Sequence, residues 1–148
     1  MRPLADLRPY LNAGRLFVGG DFAAAVAAQF GHVQLLNPVA SGKTAILIAC
    51  VSDNNAALNW GFCRYDTALV TNSAQVANAK LGGAAPSCQV RTATDAGALG
   101  TRLTSRLPTL NTDCLMGGIC LLAAGQGVLV RSQNVNLAVY GQFWWIER

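Results

Sequence analysis

Val135-Asn136-Leu137-Ala138-Val139-Tyr140-Gly141-Gln142-Phe143-Trp144-Trp145 is the stretch on which the fold turns. Val135, Leu137, Val139, Phe143 and Trp145 fall on one side, with Gly141 between them. Asn136, Ala138, Tyr140, Gln142 and Trp144 fall on the other. A period of two marks a strand with one face in a core. On the second face Tyr140 and Trp144 stand among polar and small residues. Tyr and Trp suit places where one end is apolar and the other wet, so this pair is expected to cover a neighbouring segment or a partner chain.

Working outward, Gly127–Ser132 and Cys114–Leu122 read as strands separated by Ala123-Ala124-Gly125-Gln126. Thr44–Val51 is apolar on both faces and rich in β-branched residues, which predicts a central buried strand. Ser52-Asp53-Asn54-Asn55 is a turn cluster, and Leu58, Trp60 and Phe62 alternate after it, so the two runs are expected to pair as a hairpin. Val33 and Leu35 alternate with His32 and Gln34 until Asn37-Pro38. Ser87–Thr94 suits a half-exposed strand. Thr71–Ala85 reads as a long loop with a short strand, and Ala96–Asn111 as loop. Asp21–Phe30 fits helix or strand equally. Many short strands, little helix and frequent turns predict an all-β chain, an antiparallel β-sandwich or a barrel. Residues 1–14 lack any period and are expected to form an extended N-terminal arm, with 15–148 a single domain.

The composition points to a covered surface. Of 148 residues, 52% are hydrophobic and 12% charged, against a usual charged share of roughly 25%. That excludes a disordered tail and a long solvated helix. It also leaves too few charges to coat a free monomer. The net charge of +4 comes from scattered arginines, with no basic stripe that would predict nucleic-acid binding. Asp6, Arg8 and Pro9 interrupt any apolar signal segment, and no run approaches the roughly 20 apolar residues of a spanning helix.

Chemistry is sparse. Cys50, Cys63, Cys88, Cys114 and Cys120 are odd in number and irregularly spaced, so all five are expected to be reduced. His32 is the sole histidine; it is expected to be a structural residue at a strand edge, and no metal site is predicted. Ser41-Gly42-Lys43-Thr44 resembles the end of a phosphate loop, but the motif places a glycine where Asn37 stands and opens a helix, whereas Ala45-Ile46-Leu47-Ile48 is strand-like. No nucleophile elbow exists. The acids sit mostly in turns, so no catalytic residue, cofactor or enzyme activity is expected. Trp60, Trp144 and Trp145 with Asn and Asp loops would suit a sugar site, though Trp60 and Trp145 already lie on apolar faces.

Val33-Gln34-Leu35-Leu36-Asn37-Pro38-Val39-Ala40-Ser41-Gly42-Lys43 followed by an apolar strand, the turn and strand Gly125-Gln126-Gly127-Val128-Leu129-Val130-Arg131, and the ending Gln142-Phe143-Trp144-Trp145-Ile146-Glu147 resemble small structural proteins of tailed bacteriophages. The likeness covers 33–66 and 125–148. It implies a jelly roll and a role as capsid decoration (cement), head-fibre or tail accessory protein. It further implies a homo-oligomer, trimer before dimer, seated on the major capsid protein. Such a virion protein is made in the host cytoplasm and needs no membrane. Leu4, Leu7, Arg8, Tyr10, Tyr140 and Trp144 are the expected contact residues. The alternative is a tail-fibre or receptor-binding module with a carbohydrate site.

Overall fold

The computed structural model describes residues 6–54, 60–73, 75–106 and 112–148. A one-turn helix α1 (Arg8–Asn12) precedes strands β1 (Leu16–Ala23), β2 (Phe30–Leu36), β3 (Ala45–Asn54) and β4 (Trp60–Arg64). Short β5 (Thr71–Asn72) and β6 (Val76–Asn78) lead to β7 (Gln89–Asp95) and β8 (Thr101–Arg106). Then come β9 (Thr112–Leu122), β10 (Gly127–Ser132) and β11 (Val139–Glu147). Two antiparallel sheets result, ordered β6-β1-β11-β3-β9 and β5-β7-β2-β10-β4-β8. They pack face to face as a β-sandwich.

The pairing is nested. β1 pairs with β11, β2 with β10, β3 with β9 and β4 with β8. The chain thus folds like one long hairpin whose tip is β4–β8, wrapped so that successive rungs fall in opposite sheets. The excursion 65–100 adds β6 to the β1 edge and β7 to the β2 edge.

The core is built from the inward sets that the alternation marks. Phe17, Leu47, Cys50, Val139, Phe143 and Trp145 face Val33, Leu35, Trp60, Phe62, Val90, Val128 and Val130 between the sheets. Phe17 and Trp145 are register partners on adjacent strands, and their rings stack at 6.0 Å. A bulge interrupts β3: Trp144 pairs with Ala49 and Trp145 with Leu47, so Ile48 is the extra residue. The bulge shifts the phase and returns Cys50 to the core side.

Gly141 marks a close approach of the sheets. A Cβ there would lie 2.6 Å from Val130 Cγ2 and 3.0 Å from the Val33 Cβ. Gly141→Ala is therefore expected to cost about 1–3 kcal/mol through overpacking. Urea unfolding checks it, and an unchanged midpoint would contradict the tight approach.

Several expectations are corrected. β3 and β4 form no hairpin; they lie in different sheets, because each pairs with a strand more distant in sequence. Within Ala96–Asn111, Thr101–Arg106 is strand β8, paired to β4 despite weak local propensity. The segment 21–30, which fits helix or strand equally, is strand at its two ends: β1 runs through Ala23 and β2 starts at Phe30. Val135 and Leu137 lie outside β11. The expected extended arm contains helix α1, where Pro9 occupies the first turn, a position that tolerates its missing N–H. His32 is at no edge, since β2 runs between β7 and β10.

Candidate functional site

The outer faces of the two sheets are treated differently by the chain. On the second sheet, His32, Gln34, Leu129 and Arg131 point outward yet are buried. Two loops seal them in. Gln34 donates from Nε2 to the carbonyls of Tyr65 (2.7 Å) and Thr67 (2.9 Å), and its Oε1 accepts the Leu69 N–H (3.0 Å). Arg131 donates from Nη1 to the carbonyls of Ala98, Leu99 and Gly100. The Leu99 N–H donates to His32 Nε2 at 3.2 Å. Burial, with the Arg131 charge beside it, pushes the His32 pKa down from 6.5 to about 4. The imidazole is therefore neutral at pH 7, as its acceptor role requires.

Glu147 is the other buried polar centre. Its side chain is 1% exposed. The carboxylate accepts the Ser87 N–H (2.9 Å), the Cys88 N–H (2.9 Å) and the Trp145 Nε1–H (3.1 Å), and pairs with Lys43 Nζ at 3.2 Å. Burial raises its pKa, but the Cys88 and Ser87 amides, the indole and Lys43 outweigh it and hold the pKa below the ordinary value. Lys43 thus serves a structural carboxylate, and strand β3 follows it at once. Sequence reading missed this residue's role. The signal was present: Glu147 is in phase with Phe143 and Trp145, so it had to point inward.

No cluster of three metal-ligating side chains occurs among the described residues. A cavity of about 110 Å³ beside Arg64, Asp66 and Cys120 is below the roughly 300 Å³ of ligand pockets. Its polar groups serve each other: Arg64 pairs with Asp66 at 2.7 Å, and Asp66 accepts the Gly127 N–H. Burial pushes the Cys120 thiol up to about 11, so it stays protonated. Cys63 and Cys88 are buried free thiols, and the Cys50 Sγ faces the Val51 carbonyl in the core. The Cys114 side chain lies outside the described residues. Trp60 and Trp145 are fully buried and offer no sugar platform.

The first sheet presents the remaining surface. Its outward set includes Val18, Phe22, Ile46, Ile48, Val51, Tyr140 and Trp144, all partly or well exposed; Phe22 is 56% exposed. β3 is apolar on both faces as the sequence reading expected, but only one of those faces is buried within this chain. Leu16 and Ile146 close one end of the surface. Near that end Arg148 donates to the Tyr10 hydroxyl (2.8 Å) and stands 5.7 Å from its ring. Of the expected contact residues, Tyr140 and Trp144 therefore share this face and Tyr10 borders it. Arg8 is exposed and paired with Asp6 at 2.8 Å; Leu7 is half-buried ahead of α1. Leu4 lies outside the described residues.

No protein-family model, curated protein or solved structure matches this chain.

Proposed function

We propose that this chain is a non-enzymatic virion structural protein, a capsid decoration (cement) protein on a jelly roll that acts by self-association and contacts to the major capsid protein. One observation carries the reading. The outer face of the first sheet leaves the apolar side chains of Val18, Phe22, Ile46, Ile48, Val51 and Trp144 partly open, while the middle of the second sheet's outer face, over β2 and β10, is sealed by loops of the same chain. Exposed apolar surface of that kind marks a protein contact. The sparse charge of the whole chain has the same meaning. Nested pairing of first strand with last through to the central pair is the order of a jelly roll, which supports that part of the reading.

The physical role follows. A subunit that binds only the assembled shell adds its binding free energy to the shell by mass action. Linked copies gain further, because the second contact becomes intramolecular. The test is addition of purified protein to shells that lack it, with occupancy read by electron microscopy. Ordered occupancy and a raised shell melting temperature are expected; bare shells at saturating protein would reject the role. Trp144→Ala is expected to weaken attachment by about 2 kcal/mol, roughly thirtyfold in affinity. The isolated fold should lose much less, since the side chain is outside the core. A variant that attaches normally would remove Trp144 from the contact.

A further inference from the structure

We infer that the open face of the first sheet is covered by a second copy of this chain, its strands antiparallel to the first about a two-fold axis lying in the interface beside Trp144. This rests on the reading of that face as an interface and names its occupant. The register sets which residues would meet. Along β11 and β3 the outward pairs are Tyr140 with Asp53, Gln142 with Val51, Trp144 with Ala49 and Ile146 with Ile46. Pairing continues one step, because Thr44 and Arg148 exchange N–H to carbonyl bonds of 3.1 and 2.9 Å. Arg148 therefore belongs to the same outward set.

The charges on this strip are self-complementary. Asp53 stands opposite Tyr140, four positions to one side of Trp144, and Arg148 four positions to the other. Between them the strip is uncharged. A two-fold axis in the interface and across the strands reverses the strip, so Asp53 of each copy meets Arg148 of the other. An axis along the strands would set Asp53 against Asp53 and Arg148 against Arg148, and like charges across an interface disfavour that arrangement. Sheets pack about 10 Å apart, within the reach of a long arginine side chain.

A second observation points the same way. Asp53 is partly exposed and joins no ion pair among the described residues, so a guanidinium delivered across the interface would give its carboxylate a partner. Arg148 has five N–H donors and uses one on the Tyr10 hydroxyl, so it can hold both. An isologous contact of this kind makes each pairing twice.

Sedimentation of the whole chain tests the proposal, using wild type, Asp53→Arg, Arg148→Asp and the double exchange, each first shown to be folded by circular dichroism. Wild type is expected to be a dimer. Each single change should raise the dimer Kd about tenfold or more, and the double exchange should restore it to within a few-fold. A monomeric or trimeric wild type, or a double exchange no better than the singles, overturns the arrangement. A monomer that still decorates shells overturns it while leaving the proposed function standing. A dimer broken by Trp144→Asp but indifferent to the exchanges overturns this register and keeps the face as an interface.

Discussion

Glu147→Ala is expected to lower the unfolding free energy by about 3–5 kcal/mol. The magnitude comes from what is left behind. The Ser87 and Cys88 amides and the Trp145 indole all donate into this carboxylate in the interior. Each donor that loses its partner carries a desolvation penalty of about 1–3 kcal/mol. The Lys43 ion pair adds little, because its ammonium is 44% exposed and solvent screens it. Glu147→Gln should fare almost as badly: it keeps the shape but sets an amide N–H₂ against donors. The carboxylate ties the last strand to the segment entering β7, some sixty residues away in sequence. Its loss should free the edge where β7 joins the second sheet. Urea titration is the check, read as a fall in midpoint at unchanged slope. A loss under 1 kcal/mol for Glu147→Gln would show that no anion is needed there.

Acidification from pH 7 to 4.5 is expected to remove about 2–3 kcal/mol of stability through His32. The imidazole is fully buried, and its folded pKa of about 4 lies below the unfolded 6.5. Between those values the unfolded chain binds the extra proton, so stability falls as pH falls. The contribution is complete above 6.5 and gone below about 4. The cause is first the loss of solvation on burial and then the guanidinium of Arg131 beside the ring. Protonation also removes the acceptor that holds the Leu99 N–H. Glu147, whose pKa is depressed, gives up its own contribution mainly below its ordinary value of 4.5, so it adds little between pH 7 and 4.5. His32→Gln keeps an acceptor for Leu99 and does not titrate. Its stability between pH 7 and 4.5 should be flatter than wild type by the stated amount. Equal slopes would mean that His32 does not titrate as its surroundings require.

The residues of this chain announce their strands well. Val33 and Leu35, Val128 and Val130, and Phe143 and Trp145 point into the core as their alternation requires. Gly127–Ser132 is strand over the range its sequence marks. Period two is a property of the backbone, so it survives whatever packs on top. The same regularity placed Tyr140 and Trp144 together on the face opposite the core. It could also have placed Glu147 inside, had a lone acid after a tryptophan pair been read by phase rather than by type.

Other features were out of reach. β3 and β4 look like a hairpin because they adjoin in sequence, yet the nested pairing sends them to opposite sheets. Thr101–Arg106 becomes a strand because β4 offers it an edge. His32, Gln34 and Arg131 look like solvent-facing residues, and distant loops bury them.

Local sequence therefore determined which residues form strands and which side of each strand is apolar. Only the tertiary structure decided what lies against each side. Alternation fixes a direction for a side chain and carries no information about its neighbour, which here comes from tens of residues away. Tyr140 and Trp144 were legible together on the side opposite the core, and β3 as apolar on both faces, but that the chain leaves this side half-open while covering the middle of the other sheet required both sheets in place.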